Sequence, residues 1–202
     1  MNTLFQTPGA CSLAPLIALH VANIAHDTQN VDLRAHKLPD GADYYAVNPK
    51  GAVPALKLDS GEMLTENAVL LQYIADQAPA SGLIPTNGLE RYQQLELINY
   101  IATEVHKGFG PLFNPATQPE ARQAAIDALG KKFTYLAAKV SPDGFLKGPE
   151  LTAADAYLFT VLRWADLFKI DLAPWPAIVA YRQRVAAVPA VVAALKEEGL
   201  GG

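Results

Sequence analysis

Only one cysteine, Cys11, occurs in the whole sequence, so no internal disulfide can form and no cysteine-rich metal site can be built. Long apolar runs are missing too, and stretches such as Val188 to Leu195 are far too short to span a bilayer. No basic run offers a counterion-releasing surface to nucleic acid, because 16 Lys and Arg are mixed with 20 Asp and Glu for a net charge of −4. The opening MNTLFQTPGACS has no charged segment leading into an apolar one, so no secretory signal is expected. What is present is a chain of 202 residues, half of them apolar, enough to bury a sizeable core in one domain or two small ones. These features predict a cytoplasmic, soluble, globular protein, with neither nucleic acid nor membrane as a partner.

The first eighty or so residues mix strand-like and helix-like text. Thr3 to Gln6 reads as a strand broken by Thr7-Pro8-Gly9, and Ser12 to Asn23 as a largely buried helix. Asn30 to Leu33 reads as a second strand, parallel to the first because a helical crossover joins them. Ala55 to Leu58 and Met63 to Leu64 flank Asp59-Ser60-Gly61, a hairpin signal, and Glu66 to Gln77 is an amphipathic helix. Pro79 to Gly88 is rich in breakers and reads as a linker. Beyond it the text is helical: Leu89 to Lys107 (ended by Gly108-Phe109-Gly110-Pro111), Glu120 to Val140, Thr152 to Lys169, Trp175 to Ala187 and Pro189 to Glu198. The fold class predicted is α+β, with a βαβ–ββα domain over 1–78, a linker over 79–88 and an all-α domain over 89–202.

Several positions carry chemistry. Cys11 follows a Pro-Gly turn at the predicted start of the first helix, where free N–H groups and the helix dipole lower a thiol pKa or stabilise the thiolate of a bound substrate. The plainer reading is a small buried hydrophobe. Pro54 opens an apolar strand, where a missing N–H is tolerated. If Val53–Pro54 is cis, the Val53 N–H and C=O face an extended peptide, and the alternative is an ordinary trans turn proline. Thr65-Glu66-Asn67 starts a helix whose free amides suit an anion and whose carboxylate suits an ammonium group, or else it is simple capping. Asn99, Thr103 and His106 share one helical stripe, and Glu104, His106 and Lys107 crowd its last turn as either a site or a solvated helix end. His20, His26 and His36 form no triad or metal spacing, so no metal is expected. Thr152 and Asp155 form a capping-box signature, a structural feature.

Together these pieces resemble the beta class of bacterial glutathione transferases. The resemblance rests on TPGACSLAP at Thr7 to Pro15, NPKGAVPAL at Asn48 to Leu56, LTENAVLLQYIAD at Leu64 to Asp76 and LERYQ at Leu89 to Gln93. It continues through NYIATEVHKGFGPLF at Asn99 to Phe113, LTAADAYLFTVLRW at Leu151 to Trp164 and the closing VPAVVAALKEEGL, so it spans nearly the whole chain. It implies a thioredoxin-like glutathione-binding domain, an all-α domain forming an electrophile-binding cleft, and a symmetric homodimer serving detoxification. Glutathione is the implied co-substrate, and no metal is implied. Cys11 would lie beside the glutathione sulfur and be able to form a mixed disulfide with it. Val53, before a cis Pro54, would pair with the cysteinyl backbone, and Glu66 and Asn67 would hold the γ-glutamyl amine and carboxylate. Glu104 of the partner subunit would reach the same ammonium. His106 would face the sulfur, with Lys107 and Asn99 at the cleft.

The chain departs from the class pattern at the glycyl carboxylate, where His36 and Lys37 stand nearest and Lys50 is a third candidate. It departs again at the catalytic tyrosine of other classes, where Phe5 and Gln6 stand, and Ser12 ranks below Cys11 as a hydroxyl donor. Phe109, Leu112, Phe113 and Trp164 are the expected lining of the acceptor cleft. The function implied is attack of the glutathione thiolate on a small hydrophobic electrophile, with glutathione-dependent disulfide reduction through Cys11 as a further activity. The rivals are a monothiol-glutaredoxin-like oxidoreductase, a reductive dehalogenase and a non-catalytic carrier of glutathione or hydrophobic ligands.

Overall fold

The computed structural model describes residues 1–201. Strand β1 (Asn2–Gln6) lies at the centre of a mixed sheet, parallel to β2 (His26–Asn30) and antiparallel to β3 (Ala55–Lys57), which pairs in turn with β4 (Met63–Thr65). The order β2-β1-β3-β4 and the helix between β1 and β2 give the thioredoxin-like arrangement expected from the sequence. The register Thr28–Leu4–Leu56–Leu64 runs across all four strands.

Strand alternation divides the core. Leu4 and Leu56 point into the main core, whereas Phe5 and Ala55 join Val31, Tyr44 and Val53 in a smaller one on the opposite face. Helix α1 (Leu13–Val21) is buried along Leu13 to Leu19 because it is covered on several sides. It packs on α2 (Asn67–Gln77), α6 (Ala153–Leu162) and α9 (Pro189–Glu197).

The second strand lies earlier than the sequence suggested. Asn30 to Leu33 was the expected span, but β2 is the polar run His26–Asn30 on a sheet edge, where alternation of apolar residues is not required. Val31 is buried, and its N–H continues to the Gln6 carbonyl (2.7 Å). The apolar letters after Asn30 therefore plug the smaller core instead of forming the strand.

The helical half contains α3 (Gly88–Tyr100), a π-helix over Ile101–His106, the short α4 (Gly110–Phe113), α5 (Pro119–Ala137), α6, α7 (Trp164–Leu167), α8 (Pro176–Ala186) and α9. The expected single helix over Thr152 to Lys169 is two, interrupted at Arg163. Gly108 to Pro111 does not simply end a helix, because Gly110 and Pro111 start α4, with proline in a first-turn position where its missing N–H costs nothing. The capping box forms: the Asp155 carboxylate accepts from the Thr152 N–H (2.9 Å) and hydroxyl, and also from the Leu146 N–H (2.9 Å) and the Tyr181 hydroxyl (3.0 Å). This buried carboxylate ties α6 to α8 and to the loop before it. Among the described residues, no single helix is long and apolar enough to cross a membrane.

Candidate active site

Three loops are fixed before any ligand is considered. Gly9, in the turn after β1, has φ 78, a left-handed value suited to glycine. The Trp164 indole donates to its carbonyl (2.9 Å), and its own N–H donates to the Glu198 carboxylate (2.9 Å). Helical-domain side chains thereby hold the loop that presents Cys11. The loop ahead of β3 is held from the smaller core, where the Tyr44 hydroxyl and the Asn48 amide both donate to the Ala52 carbonyl (2.9 and 2.7 Å). Gly51 is required there: its φ is 64, and a Cβ would lie 2.5 Å from the Tyr45 ring. The following Val53–Pro54 bond is cis. Third, Glu66 precedes α2 with φ 73, a sparsely populated conformation costing about 1–3 kcal/mol in a non-glycine residue. Its side chain makes no capping bond and its carbonyl takes the Val69 N–H (2.9 Å), so the Asn67 and Ala68 N–H groups are left for an anion.

These loops and the middle of the helical domain enclose a cavity of about 420 Å³, lined by Cys11, Val53, Pro54, Glu66, Asn67, His106, Lys107 and Tyr157, with Lys50 and Thr103 at its wall. Asn67 is buried. Its amide donates to the Cys11 carbonyl (2.9 Å), while its Oδ1 has no partner among the described residues and so offers an acceptor to a ligand.

The electrostatics of Cys11 differ from the expectation. Residue 11 lies before the first turn of α1, its thiol donates to the Val53 carbonyl (3.3 Å), and burial pushes its pKa up to about 12. The desolvation cost of a thiolate outweighs the nearby backbone donors, and the Glu198 and Glu66 charges add to the rise. Cys11 is therefore a protonated hydrogen-bond donor at neutral pH. Ser12 is fully buried, with its hydroxyl spent on the Thr7 N–H and C=O (3.1 and 3.2 Å), so it does not face the cleft.

His106 and Tyr157 form a pair, with His106 Nδ1 2.7 Å from the Tyr157 hydroxyl. Burial, aided by the Lys107 charge, lowers the His106 pKa to about 4, and burial with the adjacent Cys11 pushes the Tyr157 phenol well above its ordinary value. Both groups are neutral across the physiological range. Tyr157 was missed in the sequence because it sits inside LTAADAYLFTVLRW, a segment that reads as capping and core. Its burial gives no sequence signal, and only the fold sets its hydroxyl opposite His106.

Other candidates lie elsewhere. The π-helix turns less per residue than an α-helix, so roughly a quarter turn accumulates over its length and removes Asn99 from the stripe that carries His106. Asn99 is exposed and does not line the cavity. Glu104 faces Lys132, which donates to its carbonyl (2.6 Å) and lies 3.1 Å from its carboxylate. His36 packs against Tyr45, and Lys37 is exposed; neither lines the cavity. Lys50 does, with its ammonium on Thr65 Oγ1 (2.9 Å) and the Glu66 carboxylate. Phe109 and Leu112 are core residues, whereas Phe113 is exposed and stands edge-on to Trp164 (5.0 Å), which in turn meets His106 (4.9 Å).

Comparison with known proteins identifies the family. Residues 9–77 match the model of the glutathione S-transferase N-terminal domain, and residues 100–189 that of the C-terminal domain. The chain is 47% identical to glutathione S-transferase GstA of Escherichia coli O157:H7, over 98% of both chains. A sphingomonad glutathione S-transferase solved in complex with glutathione superposes with a TM-score of 0.92 at 46% identity, covering 98% of this chain and 99% of that one. The bacterial beta-class glutathione S-transferase of Sphingomonas chungbukensis gives 0.93 at 45%, with the same coverage.

Proposed function

The chain belongs to the glutathione S-transferase family and is a glutathione transferase, and we propose how its own residues carry that activity. Glutathione lies extended along the Val53 backbone. Its γ-glutamyl ammonium meets Glu66 and the free Asn67 Oδ1, and its γ-glutamyl carboxylate meets the Asn67 and Ala68 amides at the start of α2. Lys50, already in the cavity wall, meets the glycyl carboxylate in place of His36 or Lys37.

The thiol loses its proton to solvent, and the thiolate is held by two neutral donors, the Cys11 S–H and His106 Nε2–H. Cys11 has a single S–H, so on ligand binding it turns from the Val53 carbonyl to the sulfur, and that carbonyl accepts from the cysteinyl N–H instead. Phenol is the better donor and imidazole the better acceptor, so the Tyr157 hydroxyl donates to Nδ1 and leaves the hydrogen on Nε2, directed at the sulfur. The thiolate then attacks an electrophilic carbon and the leaving group departs, or it attacks a disulfide sulfur and expels the other thiolate. The acceptor is a small hydrophobic electrophile resting on the exposed Phe113 ring, which the buried Trp164 backs edge-on.

The division into 1–78, a linker at 79–88 and 89–202 assigns glutathione to the first part and the acceptor to the seam between the two. As a beta-class enzyme the protein acts as a cytoplasmic homodimer in detoxification, with Glu104 and Asn99 directed at the partner subunit's cleft. A carrier role is not favoured, because close relatives are named as transferases. The observation that carries this reading is the convergence of Cys11, Val53, Asn67 and His106 on one cavity. Turnover of an aryl halide and of hydroxyethyl disulfide under saturating glutathione tests it. Conjugation supports the transferase, disulfide reduction alone supports the oxidoreductase, and glutathione binding without turnover supports the carrier.

A further inference from the structure

Three side chains that the reaction does not use meet on the far side of α1. His20 stands in the last turn of α1, His26 opens β2, and Glu197 closes α9. In sequence the two histidines have no partner at metal spacing, because the third group comes from the other end of the chain. We propose that His20, His26 and Glu197 bind one divalent transition-metal ion, of which zinc is the type, as a clasp between the N-terminal sheet and the last helix.

His26 is the most buried of the three. Its Nδ1 lies 2.7 Å from the Ile24 carbonyl, which can only accept, so Nδ1 carries the hydrogen. In the neutral ring Nε2 is then a bare lone pair, and it faces Glu197 Oε2 at 3.7 Å, too far for a hydrogen bond. Two acceptors facing each other across this gap leave a place that suits a cation. His20 Nε2 hydrogen-bonds the same oxygen at 2.8 Å, a bond that the ion would replace, and the three ligand atoms lie within 4.8 Å of one another. Ligands at 2.0–2.2 Å from a tetrahedral ion stand about 3.4 Å apart, so closing on an ion needs shifts of no more than about 1.5 Å.

The supporting bonds are those a metal site needs. The Ile24 carbonyl fixes the His26 tautomer, and Thr28 Oγ1 donates to Glu197 Oε1 (3.1 Å), orienting the carboxylate. Burial is graded: the His26 side chain is 8% exposed, His20 24% and Glu197 30%, so the ion has an entry path and room for water as a fourth ligand. Two imidazoles with one carboxylate suit zinc over magnesium or calcium, which prefer all-oxygen shells. The ligands come together only in the folded chain, so the ion would stabilise that state.

The test uses the full chain, stripped with a chelator and dialysed against zinc chloride. A Cys11→Ser variant is treated in parallel to remove the free thiol as a competing ligand. One zinc per chain is expected in both proteins. Zinc affinity should fall at least about tenfold in His26→Gln and in Glu197→Gln, and the zinc-dependent rise in melting temperature should disappear. Transferase activity measured without zinc should be unchanged in His26→Gln. The proposal is overturned if the wild-type chain retains no zinc after dialysis, if retention disappears in Cys11→Ser, or if both substituted chains bind zinc as the wild type does.

Discussion

The Tyr157 hydroxyl lies 2.7 Å from His106 Nδ1, so a residue of α6 sets the hydrogen-bonding state of a residue in the π-helix. Tyr157→Phe keeps the ring and removes the bond. His106 should then populate both tautomers, visible in its ¹⁵N shifts, and kcat should fall by about tenfold, or about 1.4 kcal/mol, with little change in KM for glutathione. An unchanged tautomer with an unchanged kcat would remove Tyr157 from the account.

His106 itself should not shape the pH dependence near neutrality. Its folded pKa of about 4 lies below the ordinary value of 6.5, so the stability linked to its neutrality is complete above 6.5 and is lost as pH falls toward 4. The expected pH–rate profile has no limb from His106 between pH 6 and 8. A His106→Asn enzyme, slower overall, should follow the wild-type profile in that range.

Cys11 should react sluggishly. A rise from an ordinary thiol pKa to about 12 lowers the thiolate fraction by about 3.5 powers of ten, and the greater intrinsic reactivity of a more basic thiolate recovers part of that. Alkylation of Cys11 by iodoacetamide at pH 7.4, before glutathione is added, should be about 100-fold slower than for an unperturbed thiol. Mass spectrometry of the alkylated peptide over time measures this.

Glu198 gives a pH signature in stability. It is buried against the Gly9 N–H with its Oε1 unpartnered, and burial raises its pKa from 4.5 to about 7. Because the folded pKa is the higher one, the favourable contribution is complete below about 4.5 and is lost as pH rises through 7. Glu198→Gln should match the wild type near pH 4.5 and be more stable by a few kcal/mol, about 3 at most, at pH 8. Urea denaturation at the two pH values reads the difference, and equal stabilities at pH 8 would contradict it.

Much of this molecule is legible in the sequence because its punctuation is local. Thr7-Pro8-Gly9, Asp59-Ser60-Gly61 and the Thr152/Asp155 box each mark a boundary that the structure keeps. β2 was displaced because an edge strand as polar as HDTQN carries no period-two signal, while the nearby Val31 does look apolar. Asn99 leaves the His106 face because the π-helix, which has no sequence signature, shifts the helical phase. The position of Cys11 near a helix start allows a lowered pKa, a stabilised substrate thiolate or a small buried hydrophobe, and burial, which depends on the assembled fold, decides against the first. Tyr157 and the His20–His26–Glu197 cluster were invisible for the same reason, since each joins segments far apart in the chain.

The central claim is that two uncharged donors, Cys11 and His106, hold bound glutathione as its thiolate. Titrating the thiolate absorbance near 240 nm against pH, with glutathione bound to the enzyme, measures that directly. The account predicts a bound thiol pKa at least about one unit below the ordinary value of about 8.5, moving back toward it in Cys11→Ala and His106→Ala. A bound thiol that titrates at its free value in the wild-type enzyme would contradict it.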